Sequence, residues 1–230
     1  MRGGPIVVPI LSYANLASRA EAFLNRYHPS REIPIPVEEI IDVDLQIEIM
    51  PIPGLSRIGS GDEDDMVEAF VNADLTAITV DEAAYEKQTN RYRFSLAHEL
   101  GHIVLHRKVF SKLTFDSIEQ WKQAMRTISQ KDYQWLEWQA YAFAGLLLVP
   151  GEELAAEFEG CINLVRKQHM DPRDEAVPLH VEKYLGDVFS VSSAVIHKRI
   201  EKDQLWSRQW WVRSPLLRSP ISRLARLCFR

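Results

Sequence analysis

From Tyr92 to His106 the chain runs without a proline. Phe94, Leu96, Ala97, Leu100, Ile103, Val104 and Leu105 line more than one face of the helix that this stretch predicts. A helix apolar on most sides has to be buried, so the rest of the fold must wrap around it. Asn90 is its expected N-cap. The same helix nevertheless carries His98-Glu99-Leu100-Gly101-His102, placing two imidazoles and a carboxylate in the most apolar helix of the chain. Burying such groups is costly unless they are paired or metallated. Histidines four residues apart project from one helical face about one turn apart, so both rings can reach a single ion. Glu99 follows the first histidine and can lean toward a water beside that ion as general base. In a chain of this composition, chance supplies a His-Glu-x-x-His pattern only roughly 0.02 times.

A catalytic zinc wants three protein ligands and one open position. The long metzincin pattern would need a glycine three residues and a histidine six residues after His102, and Leu105 and Lys108 stand there instead. His106 lies one further turn along the helix. Three histidines in such a row drift around the axis and do not converge on one tetrahedron, so His106 reads as support for a ligand or as a structural residue. The better third ligand is Glu137, near the start of a helix expected over Gln134 to Leu148 and stopped by Pro150. Taken alone, Glu137 would be a solvated first-turn acid favoured by the helix dipole. Ala140, Ala144 and Gly145 follow it as a strip of small residues, and Gly101 offers matching room on the other helix. A carboxylate at the rim of so tight a helix pair completes a His-His-Glu set of His98, His102 and Glu137. Two neutral imidazoles and one carboxylate leave a Zn²⁺ site near a charge of +1, where a bound water deprotonates near pH 7.

The remaining pattern fits an α+β fold, a small N-terminal antiparallel sheet packed on a mainly helical body. Residues 14–28 read as an amphipathic opening helix, broken by Pro34 and Pro36 and followed by a short helix over Val37 to Val43. Leu45 to Met50 alternates as a strand does, and Val67 to Asn72 and Leu75 to Val80 are two more β-like runs. Residues 116–129 could add a helix carrying Ile118, Trp121 and Met125. The acidic segment Gly61 to Asp65 lacks the spacing of a calcium loop and reads as solvated. With 230 residues, 46% hydrophobic and 26% charged, the chain is globular, one large domain or a domain with an appendage.

Together, the segment Arg91 to His106 and the pattern Glu137-x-x-Ala140-x-x-Phe143-Ala-x-x-Leu147-Leu-Val-Pro150 resemble the ImmA/IrrE family of zinc metallopeptidases over roughly residues 15–200. Tyr141 stands where that family commonly has asparagine. The resemblance implies a compact zincin-like fold, with His98, His102 and Glu137 holding Zn²⁺ and Glu99 as the catalytic base. It further implies an endopeptidase that cleaves a helix-turn-helix (XRE-like) repressor and so regulates transcription in stress responses or mobile elements. An oxyanion donor should accompany such a site, with Tyr133, Tyr141 and His180 as candidates.

Residues 1–203 read as the metallopeptidase domain, and about 177–203 within it resembles a helix-turn-helix, with Ser190 or Ser192 as cap and Val195, Ile196 and Ile200 facing inward. A regulator that binds DNA or a repressor without cutting it is therefore the rival class. Its candidate recognition helix has only His197, Lys198, Arg199 and Lys202 as basic residues, and DNA readout usually comes with a larger basic cluster. Residues 204–230 form an Arg/Trp-rich tail with six arginines and no acid, which leaves 21 positive against 32 negative side chains in residues 1–203. No run is long enough to cross a bilayer, and Cys161 and Cys228 make neither a disulfide framework nor a metal knuckle. The apolar Pro5 to Leu11 segment lacks a clean cleavage site, so the expected location is the cytoplasm.

Overall fold

Ser12 opens the first helix through a reciprocal cap: its hydroxyl accepts from the Asn15 backbone N–H, while the Asn15 side chain accepts from the Ser12 N–H. The helix that follows, α1 (Tyr13–Tyr27), buries Leu16, Ala20, Phe23 and Leu24 on one stripe. The computed structural model describes residue 6 and residues 8–55, 67–87, 89–115, 117–172 and 174–206. The chain divides into two compact units, residues 1–148 and 149–230.

The first unit holds a small sheet and the longest helix among the described residues. A single turn, α2 (Val37–Glu39), widens into a π-helical turn over Ile40–Asp44, covering the segment expected as one short helix. Three strands follow, β1 (Glu48–Ile52), β2 (Ala69–Val71) and β3 (Ala77–Asp81), in the spatial order β1-β3-β2. After them come α3 (Glu82–Lys87), α4 (Thr89–Leu105), α5 (Arg107–Phe110), α6 (Ile118–Arg126) and α7 (Gln130–Leu148). Mainly helical with one small sheet, the fold is α+β as expected.

The sheet is mixed rather than antiparallel throughout. A tight turn, in which Asn72 Oδ1 accepts from the N–H groups of Thr76 and Ala77, folds β2 back antiparallel to β3 with Phe70 opposite Thr79. β1 instead lies parallel along the other edge of β3, with Met50 opposite Thr79. The long segment between β1 and β2 frees these two strands from pairing with each other, so the return strand of the hairpin takes the centre. β3 is buried at every position, whereas β1 tolerates Pro51 because an edge strand can lack a ladder donor. Asn90 lies inside α4 rather than capping it, since the helix starts at Thr89.

In the second unit, α8 (Gly151–Lys167) starts directly after Pro150 and buries Leu154, Phe158, Ile162 and Val165 along one face. Helices α9 (Ala176–Phe189) and α10 (Ser193–Lys202) meet at a sharp turn. Ser190 ends α9 in the left-handed conformation, and Ser192 occupies the N-cap position of α10. Gly186 lets the turn come close, since a Cβ on it would stand 3.0 Å from the Val191 carbonyl oxygen. Val195, Ile196 and Ile200 face inward as expected. Leu205 is buried and the Trp206 ring stands edge-on to Phe158 at 4.7 Å. The acidic loop around Gly61 to Asp65, Cys228 and the tail from residue 207 onward lie outside the described residues.

Two glycine substitutions separate packing from helix propensity. A Cβ on Gly101 would stand 3.0 Å from both the Cα and the carbonyl oxygen of Ala140, whereas one on Gly160 would meet nothing within 4 Å. Gly101→Ala should lower unfolding free energy by about 1–3 kcal/mol, and Gly160→Ala should raise it by up to about 1 kcal/mol. Urea denaturation of both variants checks the opposite signs.

Candidate metal centre

α4 and α7 make the most extensive contact between elements among the described residues. Gly101 faces the Ala140 backbone across this contact, and Ala140, Phe143 and Ala144 of α7 are fully buried. The side chains that matter lie three residues before these contact points on each helix, at His98 and Glu137. Because α7 begins at Gln130, Glu137 sits two turns inside the helix, so cross-helix contacts rather than the dipole of a first turn govern its carboxylate.

Three ligand-type side chains converge. His98 Nε2 lies 3.1 Å from Glu137 Oε2 and 3.1 Å from His102 Nε2. His102 Nε2 lies 3.6 Å from Glu137 Oε1. The edges of a tetrahedron with metal–ligand bonds of about 2.0–2.1 Å are about 3.3 Å, so these separations are of the size that a zinc coordination shell requires. Glu99 also offers an oxygen, which lies within 4.8 Å of the two histidine nitrogens. Glu99 Oε2 also accepts from the Val71 N–H at 3.0 Å. Both acids therefore stand within reach of the two imidazoles, Glu137 from α7 and Glu99 from α4 itself.

Burial sets the charge states. Glu99 is 7% exposed, and desolvation pushes its carboxyl up to about 7, against the opposing pull of the His98 charge. Burial holds His102 well below the ordinary histidine range, and the charges of His98 and His106 push it the same way, so its ring is neutral. At His98 burial also disfavours protonation, but the hydrogen bond to Glu137 and the charges of Glu99 and Glu137 outweigh it, and the pKa is raised. Burial lowers His106 to about 4.

Behind His102 lies a polar chain. His102 Nδ1 is 3.1 Å from His106 Nδ1, and His106 Nε2 is 3.4 Å from Gln139 Oε1. Gln139 Nε2 donates to the Pro9 carbonyl at 2.7 Å. Both His106 and Gln139 are 0% exposed. Gln139 is marked in the sequence only as a polar residue beside Leu136, Ala140 and Phe143 on the buried stripe of α7. Val71 was also missed, because a backbone donor leaves no mark in side-chain patterns.

In front of the site a cleft of about 710 Å³ opens between the edge strand β2 and helix α6. Val67 and Ala69 line it on one side, and Trp121 and Met125 on the other. Tyr133 and Tyr141 also line it, and the Tyr141 ring centre is 6.5 Å from that of His98. His180 belongs to the second unit, where its Nδ1 lies 2.6 Å from the Ala176 carbonyl oxygen. No helix among the described residues is long and apolar enough to cross a membrane.

The model of a peptidase family described as the IrrE N-terminal-like domain matches residues 84–201, just over half of the chain. The chain belongs to this family. Its members are generally zinc-dependent peptidases, and the matched region carries the helices that bring His98, His102 and Glu137 together. No curated protein matches. The solved structures that match include a Mycobacterium tuberculosis transcriptional regulator, 14% identical with a TM-score of 0.46, over 82% of this chain and 46% of that one. The chain thus spans less than half the length of that regulator.

The raised pKa of Glu99 gives a pH prediction for the metal-free protein. An acid whose pKa is higher folded than unfolded holds more protons in the folded state, so stability falls as pH rises between the two values. Between pH 4.5 and about 7 the metal-free wild type should lose on the order of 1–3 kcal/mol relative to Glu99→Gln. Chemical denaturation of both proteins across that range reads the difference.

Proposed function

We propose that this protein is a zinc-dependent endopeptidase in which His98, His102 and Glu137 hold the metal and Glu99 is the general base. The observation that carries this reading is the convergence of three ligand-type side chains, with N–O and N–N separations of 3.1, 3.1 and 3.6 Å, on the wall of an open cleft with a buried carboxylate beside them. Zinc bound by these groups supplies Lewis acidity toward a peptide carbonyl and toward water.

The protein's own groups do the rest. With Glu99 Oε2 anchored on Val71, proton uptake from water falls to Oε1, and the same oxygen returns the proton to the leaving amine. Burial keeps the affinity of Glu99 for that proton near neutrality, where uptake and return are both feasible. Tyr141, whose ring packs at 4.7 Å from Phe94 and lines the cleft, is our candidate donor to a developing oxyanion, with Tyr133 lining the same cleft. Ala69 stands on the free edge of β2, so an extended peptide segment can pair with backbone groups beside the metal centre.

The substrate class we propose is a helix-turn-helix (XRE-like) repressor, whose cleavage would relieve repression. Family resemblance in the two helical motifs supports that choice. The rival, a DNA-binding regulator acting through α9 and α10 without proteolysis, is weakened by the fate of Arg199. That guanidinium is buried, donating to the Val149 carbonyl and pairing with Asp203, so it is withdrawn from any DNA-facing surface. His197 is engaged with Glu182 at 2.8 Å.

Co-expression with a candidate repressor separates the two. Glu137→Ala should weaken zinc binding by about 100-fold or more, read by chelator competition. Glu99→Gln should keep zinc while cutting the rate of repressor cleavage by about 10²–10⁴-fold. A cellular response that survives Glu99→Gln would leave the non-proteolytic regulator standing instead.

A further inference from the structure

The direction of every hydrogen bond behind His102 is fixed by one acceptor. The Pro9 carbonyl can only accept, so Gln139 must turn its NH₂ toward it, at 2.7 Å. That leaves Gln139 Oε1 facing His106 at 3.4 Å, where it can only accept, so the proton of the His106 ring stands on Nε2. His106 Nδ1 then carries a lone pair and accepts from His102 Nδ1–H across 3.1 Å. His102 is left with its Nε2 lone pair pointing at His98 and Glu137, where a metal ligand needs it. A doubly protonated His106 would put an uncompensated charge among neutral partners at a fully buried position, which is costly.

We infer that Gln139 and His106 are positioning residues that lock His102 in the Nδ1–H tautomer and aim its Nε2 at the metal. The inference rests on His102 being a ligand, and it adds the cause of that ligand's tautomer and orientation. Two structural details make the lock possible. α4 ends at Leu105, and His106 leaves the helical course as the N-cap of the four-residue α5, which keeps its ring over the back of His102. The segment before α1 brings the Pro9 carbonyl to Gln139 of α7. No other arrangement of protons satisfies these four groups, because the reverse polarity ends with two acceptors facing each other at Gln139.

The test uses the full-length protein and zinc alone as the probe. Long-range ¹H–¹⁵N correlation spectra of the wild type should show His102 protonated at Nδ1 and His106 at Nε2, both without metal and with one zinc bound. His106→Leu should weaken zinc binding by about 10–100-fold, while His106→Asn, whose side-chain oxygen stands near the former Nδ1, should stay within about threefold of wild type. Gln139→Met, which leaves His106 in place, should shift the tautomer signals and give an intermediate loss of affinity. Circular dichroism melts of the metal-free variants show whether each is folded, and the wild-type spectra test the lock even if His106→Leu does not fold. His102 protonated at Nε2 in the metal-free wild type, or equal losses in His106→Leu and His106→Asn, would overturn the lock. If the wild type binds zinc and Glu137→Ala does not, the ligand set stands whatever happens to His106. If the wild type binds no zinc, the ligand set and the lock both fall.

Discussion

The approach of α4 to α7 at Gly101 is the constraint on which the rest of the first unit depends. With a glycine on one helix and an alanine on the other, the backbone of Ala140 comes to 3.0 Å from the point where a Cβ would stand. At that separation side chains one turn away on each helix can share an ion-sized space, and His98, His102 and Glu137 do so. A larger residue at either position would move the helices apart, and a shift of about 1 Å is enough to spoil a three-point coordination set. The site is therefore a consequence of interhelical distance before it is a consequence of side-chain chemistry.

That closeness carries an electrostatic cost, because His102, Glu99, His106 and Gln139 lie in an otherwise apolar interior. The fold offsets it by giving each group a partner. Glu99 takes a backbone N–H from β2, His102 faces His98 and Glu137 on one side and His106 on the other, and Gln139 ends the chain of donors on a carbonyl. Fully connected buried networks of this kind hold a single geometry, since each group that moves leaves another unsatisfied. The sheet contributes through the edge of β2, which supplies the Val71 donor and one wall of the cleft.

Much of the site was legible in the sequence. The spacing of His98 and His102, the apolar surround that demands a reason for them, and the small-residue strip after Glu137 all follow from the helical repeat, and the structure brings those residues together. The opening helix, Pro150 as a stop and the inward face of α10 were equally local and equally readable. The sheet was misjudged in pairing because alternation reveals a strand but not its neighbour, so nothing in Leu45 to Met50 announced a parallel partner. The start of α7 was placed too late, which made Glu137 look like a first-turn acid when it is held in the middle of a helix. Arg199 counted toward a basic face by composition, yet it is buried on Val149 and Asp203.

By itself the sequence determined which side chains share a helical face, because 3.6 residues per turn is a local rule that any stretch of the chain obeys alone. It thereby set the His98–His102 pair, the apolar stripes and the helix stops. Only the tertiary structure decided which acid from another helix comes against the pair, which backbone N–H anchors Glu99, and which groups line up from His102 to Pro9. Those outcomes depend on contacts between residues far apart in the chain, reaching from Pro9 to Gln139, and on ångström-scale distances that packing fixes and periodicity does not encode.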